Sequence, residues 1–124
     1  MNDSKRRILV VDDDPKHLQT TREILELEGY VVMVHDTPFR TTEMVNSIRP
    51  DLVLLDVNMP ALSGDRLCSL IRSNGSQREV PILFYSSNDE DTLRRSVSRF
   101  GASGYVCKGD IAGLRRKVAQ VLAA

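Results

Sequence analysis

Asp51-Leu52-Val53-Leu54-Leu55-Asp56-Val57-Asn58-Met59-Pro60 is a short apolar run that ends abruptly in a carboxylate. A proline-containing loop follows and closes at Gly64. A run of this kind, bounded by turn signals, reads as a fully buried strand of a parallel sheet. Open parallel α/β sheets place their chemistry at the carboxyl ends of the strands. Asp56 stands at such an end. It equally suits an Asx turn that shapes the loop, and this stretch alone does not separate the two readings.

Working outward, Ile8-Leu9-Val10-Val11 is a second apolar run ending in acid, Asp12-Asp13-Asp14. Pro15 then occupies the first turn of a helix, with Asp14 as N-cap. Leu18, Thr21, Ile24, Leu25 and Glu28 keep helical spacing, and Gly29 is the stop signal. Tyr30 to Val34 is β-branched and apolar, hence a second strand. Thr37-Pro38 repeats the cap-plus-proline signal, which predicts a helix carrying Phe39, Met44, Val45 and Ile48 up to Pro50. Asp65 to Arg72 forms the third helix, with Leu67, Leu70 and Ile71 as its apolar side, and Ser73-Asn74-Gly75-Ser76 is a loop. Val80 to Tyr85 is the fourth strand, with Pro81 at its start, where a ladder donor is dispensable. Leu93, Val97 and Phe100 mark the fourth helix, which stops at Gly101. Gly104-Tyr105-Val106-Cys107 is a short fifth strand, and Gly109-Asp110 opens a last helix with Ile111, Leu114, Val118, Val121 and Leu122 inward. Strand and helix alternate five times. The fold class is α/β: a (βα)5 doubly wound parallel sheet with helices on both faces.

The 124 residues form one domain, 1–124, long enough to bury a core without staples. Lys+Arg and Asp+Glu both number 17, so no global field favours nucleic acid or an anionic membrane. There is no apolar run of transmembrane length, and the polar, basic stretch Met1 to Arg7 lacks the apolar centre of a signal peptide. The expected location is the cytoplasm. Cys68 and Cys107 lack metal-ligand spacing and read as a reduced, buried pair. His17 and His35 read as ordinary residues.

Four strands end in reactive groups: Asp12 and Asp13, Asp56, Ser86, and Lys108. A parallel sheet brings all of them to one edge. One strand-end Asp could be a turn former; this collection reads as a site. Like charges about 4 Å apart repel by roughly 4 kcal/mol at an effective dielectric near 20. Lys108 supplies one counter-charge and a divalent cation would supply more. Carboxylate oxygens with room for water suit Mg²⁺ and a phosphoryl group better than Ca²⁺.

With these motifs in order, the chain resembles the receiver domain of two-component response regulators over essentially its whole length. The motifs are Val10-Val11-Asp12-Asp13, Asp56 with Met59-Pro60 and Gly64, Ser86, and Tyr105 three residues before Lys108. The resemblance implies a flavodoxin-like fold with strand order 2-1-3-4-5. It implies Asp56 as phosphoacceptor from a sensor histidine kinase or a phosphotransfer protein. Mg²⁺ would be held by Asp13 and Asp56, by Asp12 largely through water, and by the backbone carbonyl of Asn58. Ser86 falls at the switch-hydroxyl position, Lys108 at the phosphate-binding lysine and Tyr105 at the aromatic switch. Asn58 and Asn88 would flank the hydrolysis route.

Two departures stand out: Gly109 replaces the usual proline, which often follows a cis bond, and Ser87 replaces the usual alanine. The implied partners beyond the kinase are a downstream protein or fused output domain, and a second copy through the fourth helix, fifth strand and fifth helix. Arg94, Arg95, Arg99, Arg115, Arg116 and Lys117 fall in those two helices, either as a solvated face or as a partner surface. No direct contact with nucleic acid or membrane, and no enzyme activity beyond phosphotransfer and autodephosphorylation, is expected. A non-phosphorylated interaction module is the alternative, mildly favoured by Gly109. An aspartyl-nucleophile phosphatase would need a second Asp where Asn58 stands. A flavin-binding flavodoxin would not carry acids after its first strand. A stand-alone regulator and a domain of a longer protein both fit the end at Ala124.

Overall fold

The structure, a computed structural model, describes residues 5–73 and 76–123. In chain order it runs β1 (Arg7–Val11), α1 (Pro15–Leu27), β2 (Val31–His35), α2 (Thr41–Ile48), β3 (Leu52–Leu55), α3 (Gly64–Ser73), β4 (Ile82–Ser86), α4 (Glu90–Phe100), β5 (Gly104–Cys107) and α5 (Ile111–Ala123). All strand pairings are parallel, and the order across the sheet is β2-β1-β3-β4-β5. The expected loop over 73–76 falls partly outside the described residues, at 74 and 75, as does the expected helix end at Ala124.

Alternation along the central strands sorts the core into two layers. Leu9, Val11, Val53, Leu55, Ile82 and Phe84 face one way and pack with Val45, Leu67, Ile71 and Leu93 of α2, α3 and α4. Ile8, Val10, Leu52, Leu54, Leu83 and Val106 face the other way and pack with Leu18, Leu25, Leu114, Val118 and Leu122 of α1 and α5. Because both faces are covered, β3 reads LVLL without alternation and is wholly buried. Each large apolar side chain so buried contributes about 1.5–3 kcal/mol. The chain leaves β1 toward one sheet edge and later returns to build toward the other. The topological switch point therefore lies between β1 and β3, beneath Asp12 and Asp56.

Several local expectations change. Thr37-Pro38 does not start a helix: the Thr37 hydroxyl accepts from the Phe39 N–H at 3.2 Å, and Thr41 Oγ1 donates to the Pro38 carbonyl at 2.8 Å. These bonds close a turn, Arg40 sits in the left-handed region at φ 63°, and α2 begins only at Thr41. Phe39 is left 57% exposed. Leu70 and Ile111 also lie at the surface instead of on inner faces. Asp110 caps α5 by accepting from the Gly113 N–H at 2.9 Å, so the buried face of that helix begins at Gly113 and Leu114. Pro81 precedes β4, and its carbonyl accepts from Val53 N at 2.9 Å. Among the described residues no helix is long and apolar enough to cross a membrane.

Candidate functional site

The backbone fixes the acidic half of the site. Asp56 N donates to the Val11 carbonyl at 2.9 Å, and Asp12 N donates to the His35 carbonyl at 3.2 Å. These are the last rungs of the ladder, so the two carboxylates stand side by side where the sheet ends. Asp12 is 2% and Asp56 4% exposed, while Asp13 faces solvent. One carboxylate oxygen from each of Asp12, Asp13 and Asp56 lies within 4.8 Å of the other two. The loop after β3 folds back on itself: Gly64 N donates to the Val57 carbonyl at 3.1 Å, and a Cβ at Gly64 would collide with the Asp56 carbonyl. Glycine is required there by the close approach.

Lys108 balances this charge from β5. Its Nζ lies 3.0 Å from Asp12 Oδ2 and 3.5 Å from Asp56 Oδ1. Burial pushes the Asp56 carboxyl above its ordinary range; the Asn58 N–H (3.1 Å to Oδ1) and Lys108 pull the other way, and the neighbouring Asp12 adds to the rise. Desolvation and a like charge thus outweigh one ammonium and one amide.

The hydroxyl half is held by softer contacts. Ser86 is fully buried, and its Oγ accepts from Asn58 Nδ2 at 2.9 Å and from Asn88 N at 3.1 Å. Tyr105 packs against the core beneath α4, and its hydroxyl accepts from Arg94 at 3.4 Å. Asp14 takes the expected capping role, accepting from Lys16 N at 3.0 Å, a bond that holds its carboxyl below the ordinary range. His35 is turned away and meets the Phe39 carbonyl at 2.7 Å.

Sequence reasoning missed His17. Its Nδ1 lies 2.9 Å from Lys108 Nζ and 3.7 Å from Asp12 Oδ2. The signal was available: His17 is in the first turn of α1, and helical side chains lean toward the N-terminus, which here is the site. The cysteines are free but are not a buried pair. Cys68 is buried, with its thiol pushed up to about 11 by desolvation, while Cys107 is half-buried at the end of β5. The arginine face divides in two. Arg94 turns toward β5 and pairs with Asp91 at 2.7 Å and Glu90 at 3.4 Å. Arg95 and Arg99 instead line a hollow with Asp65 of α3, where Arg99 stacks 5.3 Å from the Phe100 ring.

An acid cluster at a β1/β3 switch point, a facing lysine from β5 and a hydroxyl from β4 match a known architecture. The family model for the response regulator receiver domain matches residues 8–119. The chain belongs to the response regulator receiver domain family. It is similar to the response regulator MprA of Mycobacterium ulcerans (strain Agy99), with 38% identity over 102 residues, covering 82% of this chain and 43% of MprA. It is 31% identical to the protein RcaC of Microchaete diplosiphon over 102 residues, covering 16% of RcaC. The receiver domain thus spans less than half the length of these curated relatives. Among solved structures, the BeF3-activated N-terminal receiver domain of Klebsiella pneumoniae RstA matches with TM-score 0.85 and 29% identity, over 96% of this chain and all of that one (100%). Vibrio cholerae CheY4 shares the fold with TM-score 0.86 at 23% identity, over 95% of this chain and 99% of that one. The receiver domain here has no cis peptide bond among the described residues; Gly109 takes φ +94° where the family usually has proline.

Proposed function

We propose that this receiver domain accepts a phosphoryl group on Asp56 from a phosphohistidine donor and converts that modification into a change at β4, α4 and β5. The observation that carries the reading is the buried Asp12–Asp56 pair with Lys108 Nζ between them. One Asp56 oxygen attacks phosphorus. The O–P bond forms as the N–P bond to the donor imidazole breaks. Lys108 offsets charge on the carboxylate before attack and on the phosphoryl oxygens after it. Water later cleaves the acyl phosphate, past Asn58 and Asn88. Asp56 is an acceptor that hydrolysis regenerates, and the domain acts on no separate substrate.

The donor set fits Mg²⁺: three carboxylates meet within one ion's reach, all ligands are oxygen, and a single ammonium leaves net negative charge. Asp13, Asp56, the Asn58 carbonyl and, through water, Asp12 would hold it. When bound, Mg²⁺ neutralises the carboxylates and the phosphoryl oxygens.

For switching, Ser86 exchanges the Asn58 amide for a phosphoryl oxygen, and Tyr105 gives up Arg94 and turns inward. The shift is one of populations between two packings. The readout surface is α4, β5 and α5, offered to an output domain, a downstream protein or a second copy. Acetyl phosphate with Mg²⁺ tests the reading. The expected product carries one phosphoryl group, is labile to hydroxylamine and is missing from Asp56→Asn. A protein that stays unmodified, or labels equally in Asp56→Asn, would support a passive interaction module instead.

A further inference from the structure

We propose that His17 is a positioning residue for Lys108: it holds one N–H of the ammonium, so that another is left for Asp56, where the phosphoryl group arrives. The inference rests on the phosphoacceptor reading above. Lys108 Nζ donates to Asp12 Oδ2 at 3.0 Å and meets His17 Nδ1 at 2.9 Å. An ammonium has three donors and no acceptor, so Nδ1 is the acceptor and the ring proton sits on Nε2. Asp56 Oδ1 stands further off at 3.5 Å, an ion pair beyond ordinary hydrogen-bond length. Two of the three N–H groups are thus engaged on the β1 and α1 side, and the third is left on the side of Asp56.

The anchors of the three residues show why this matters. Lys108 N donates to the Ser86 carbonyl at 2.8 Å, which ties the root of the lysine to β4. Beyond that root runs a flexible four-carbon stem that ends in a point charge. A single bond to Asp12 would let the ammonium spin about that bond; a second bond fixes the direction of the remaining N–H. Asp12 is itself held, because its Oδ1 accepts from Asp14 N at 2.9 Å and leaves Oδ2 for the lysine. His17 is held by the start of α1. It is the third residue of that helix, and Asp14, the N-cap, accepts from Lys16 N at 3.0 Å. The cap that begins the helix therefore also places the ring. An imidazole nitrogen suits this task better than a carboxylate. It accepts the bond without adding a negative charge that would compete with Asp56 and the phosphoryl oxygens for the lysine. With Nδ1 turned to the ammonium, His17 also stands outside the set of oxygens that would hold Mg²⁺.

The test uses His17→Ala, which deletes the acceptor, and His17→Asn, whose side-chain oxygen is a neutral acceptor close to the position of Nδ1. Losing one hydrogen bond predicts that His17→Ala slows Asp56 phosphorylation by acetyl phosphate about three- to tenfold, while His17→Asn stays within about twofold of wild type. In a Lys108→Ala background His17→Ala should add nothing, because the two residues act as one unit. Mg²⁺ affinity by calorimetry should stay unchanged. In NMR of the lysine ammonium groups, the Lys108 signal of His17→Ala should exchange with water about tenfold faster than in wild type or His17→Asn. Wild-type rates in His17→Ala, a His17→Asn variant as slow as His17→Ala, full additivity with Lys108→Ala, or equal losses of rate and Mg²⁺ affinity would overturn the proposal. If the wild type takes up no phosphoryl group, the phosphoacceptor reading fails. The ammonium signal then decides the positioning alone: faster exchange in His17→Ala with recovery in His17→Asn supports it, and equal exchange in all three proteins overturns it.

Discussion

The β1–β3 side of the site and its β4–β5 side are built on different principles. Asp12 and Asp56 are set by ladder hydrogen bonds of the sheet itself. Their positions cannot change without breaking β1 or β3, and their mutual repulsion is part of the resting fold. Ser86 and Tyr105 are held by side-chain contacts, to Asn58 and Arg94, that can be exchanged without unfolding anything. A chemical step needs fixed groups, and a switch needs groups with two arrangements of similar energy. In the proposed function the two kinds of group stand on adjacent strands, β3 and β4.

The comparison is broken most severely at Lys108. Lys108→Ala should slow phosphorylation by roughly 100-fold, the scale of losing one aligned charge at the reacting group. A loss below threefold, from timed acetyl phosphate reactions, would remove Lys108 from the chemical half. Asp13→Ala should weaken Mg²⁺ binding by about tenfold or more in calorimetry. The same change should raise the metal-free melting midpoint by roughly 2–4 °C, because removing one of three carboxylates relieves repulsion. A midpoint that falls would mean that Asp13 is structural.

Ser86→Ala sharpens the comparison from the other side. Phosphorylation should stay within about fivefold of wild type, consistent with the loss of a single neutral hydrogen bond, while resonances of α4 no longer respond. A Ser86→Ala domain that still switches would place the relay elsewhere.

The smallest effect is on stability against pH. Asp56 has a folded value above its ordinary 3.8, so the folded state holds a proton that the unfolded state has already released. Its contribution therefore falls as pH rises through the window between those values, and the penalty remains at neutral pH. Asp14 and Asp89, both lowered by backbone N–H bonds, have the opposite sign: their stabilisation is lost as pH falls through their folded values. The difference between metal-free wild type and Asp56→Asn isolates Asp56. It should show the variant more stable above the window and the gap closing at acid pH.

The division also explains what the sequence could reveal. Asp12, Asp13 and Asp56 follow apolar runs directly, so strand period and parallel topology bring them together without knowledge of any side-chain contact. Lys108 and Ser86 were legible for the same reason. The missed features depend on where side chains lean or what caps what. His17 needed the tilt of the first turn of α1. Phe39 needed the Thr37 hydroxyl to choose a turn over a helix cap, a near-equal competition for the same residues. The arginines of α4 needed the rotation of that helix, which puts Arg94 beside β5 and Arg95 beside α3.

Heteronuclear NMR of the Mg²⁺-bound domain, titrated with beryllofluoride as the phosphoryl mimic, tests the joining of the two halves most directly. The account predicts large shifts of the Asn58 side-chain amide, of Asn88, of α4 and of the Tyr105 ring, all missing in Asp56→Asn. Shifts confined to the neighbourhood of Asp12, Asp13 and Asp56, with Asn58, α4 and Tyr105 unmoved, would contradict it.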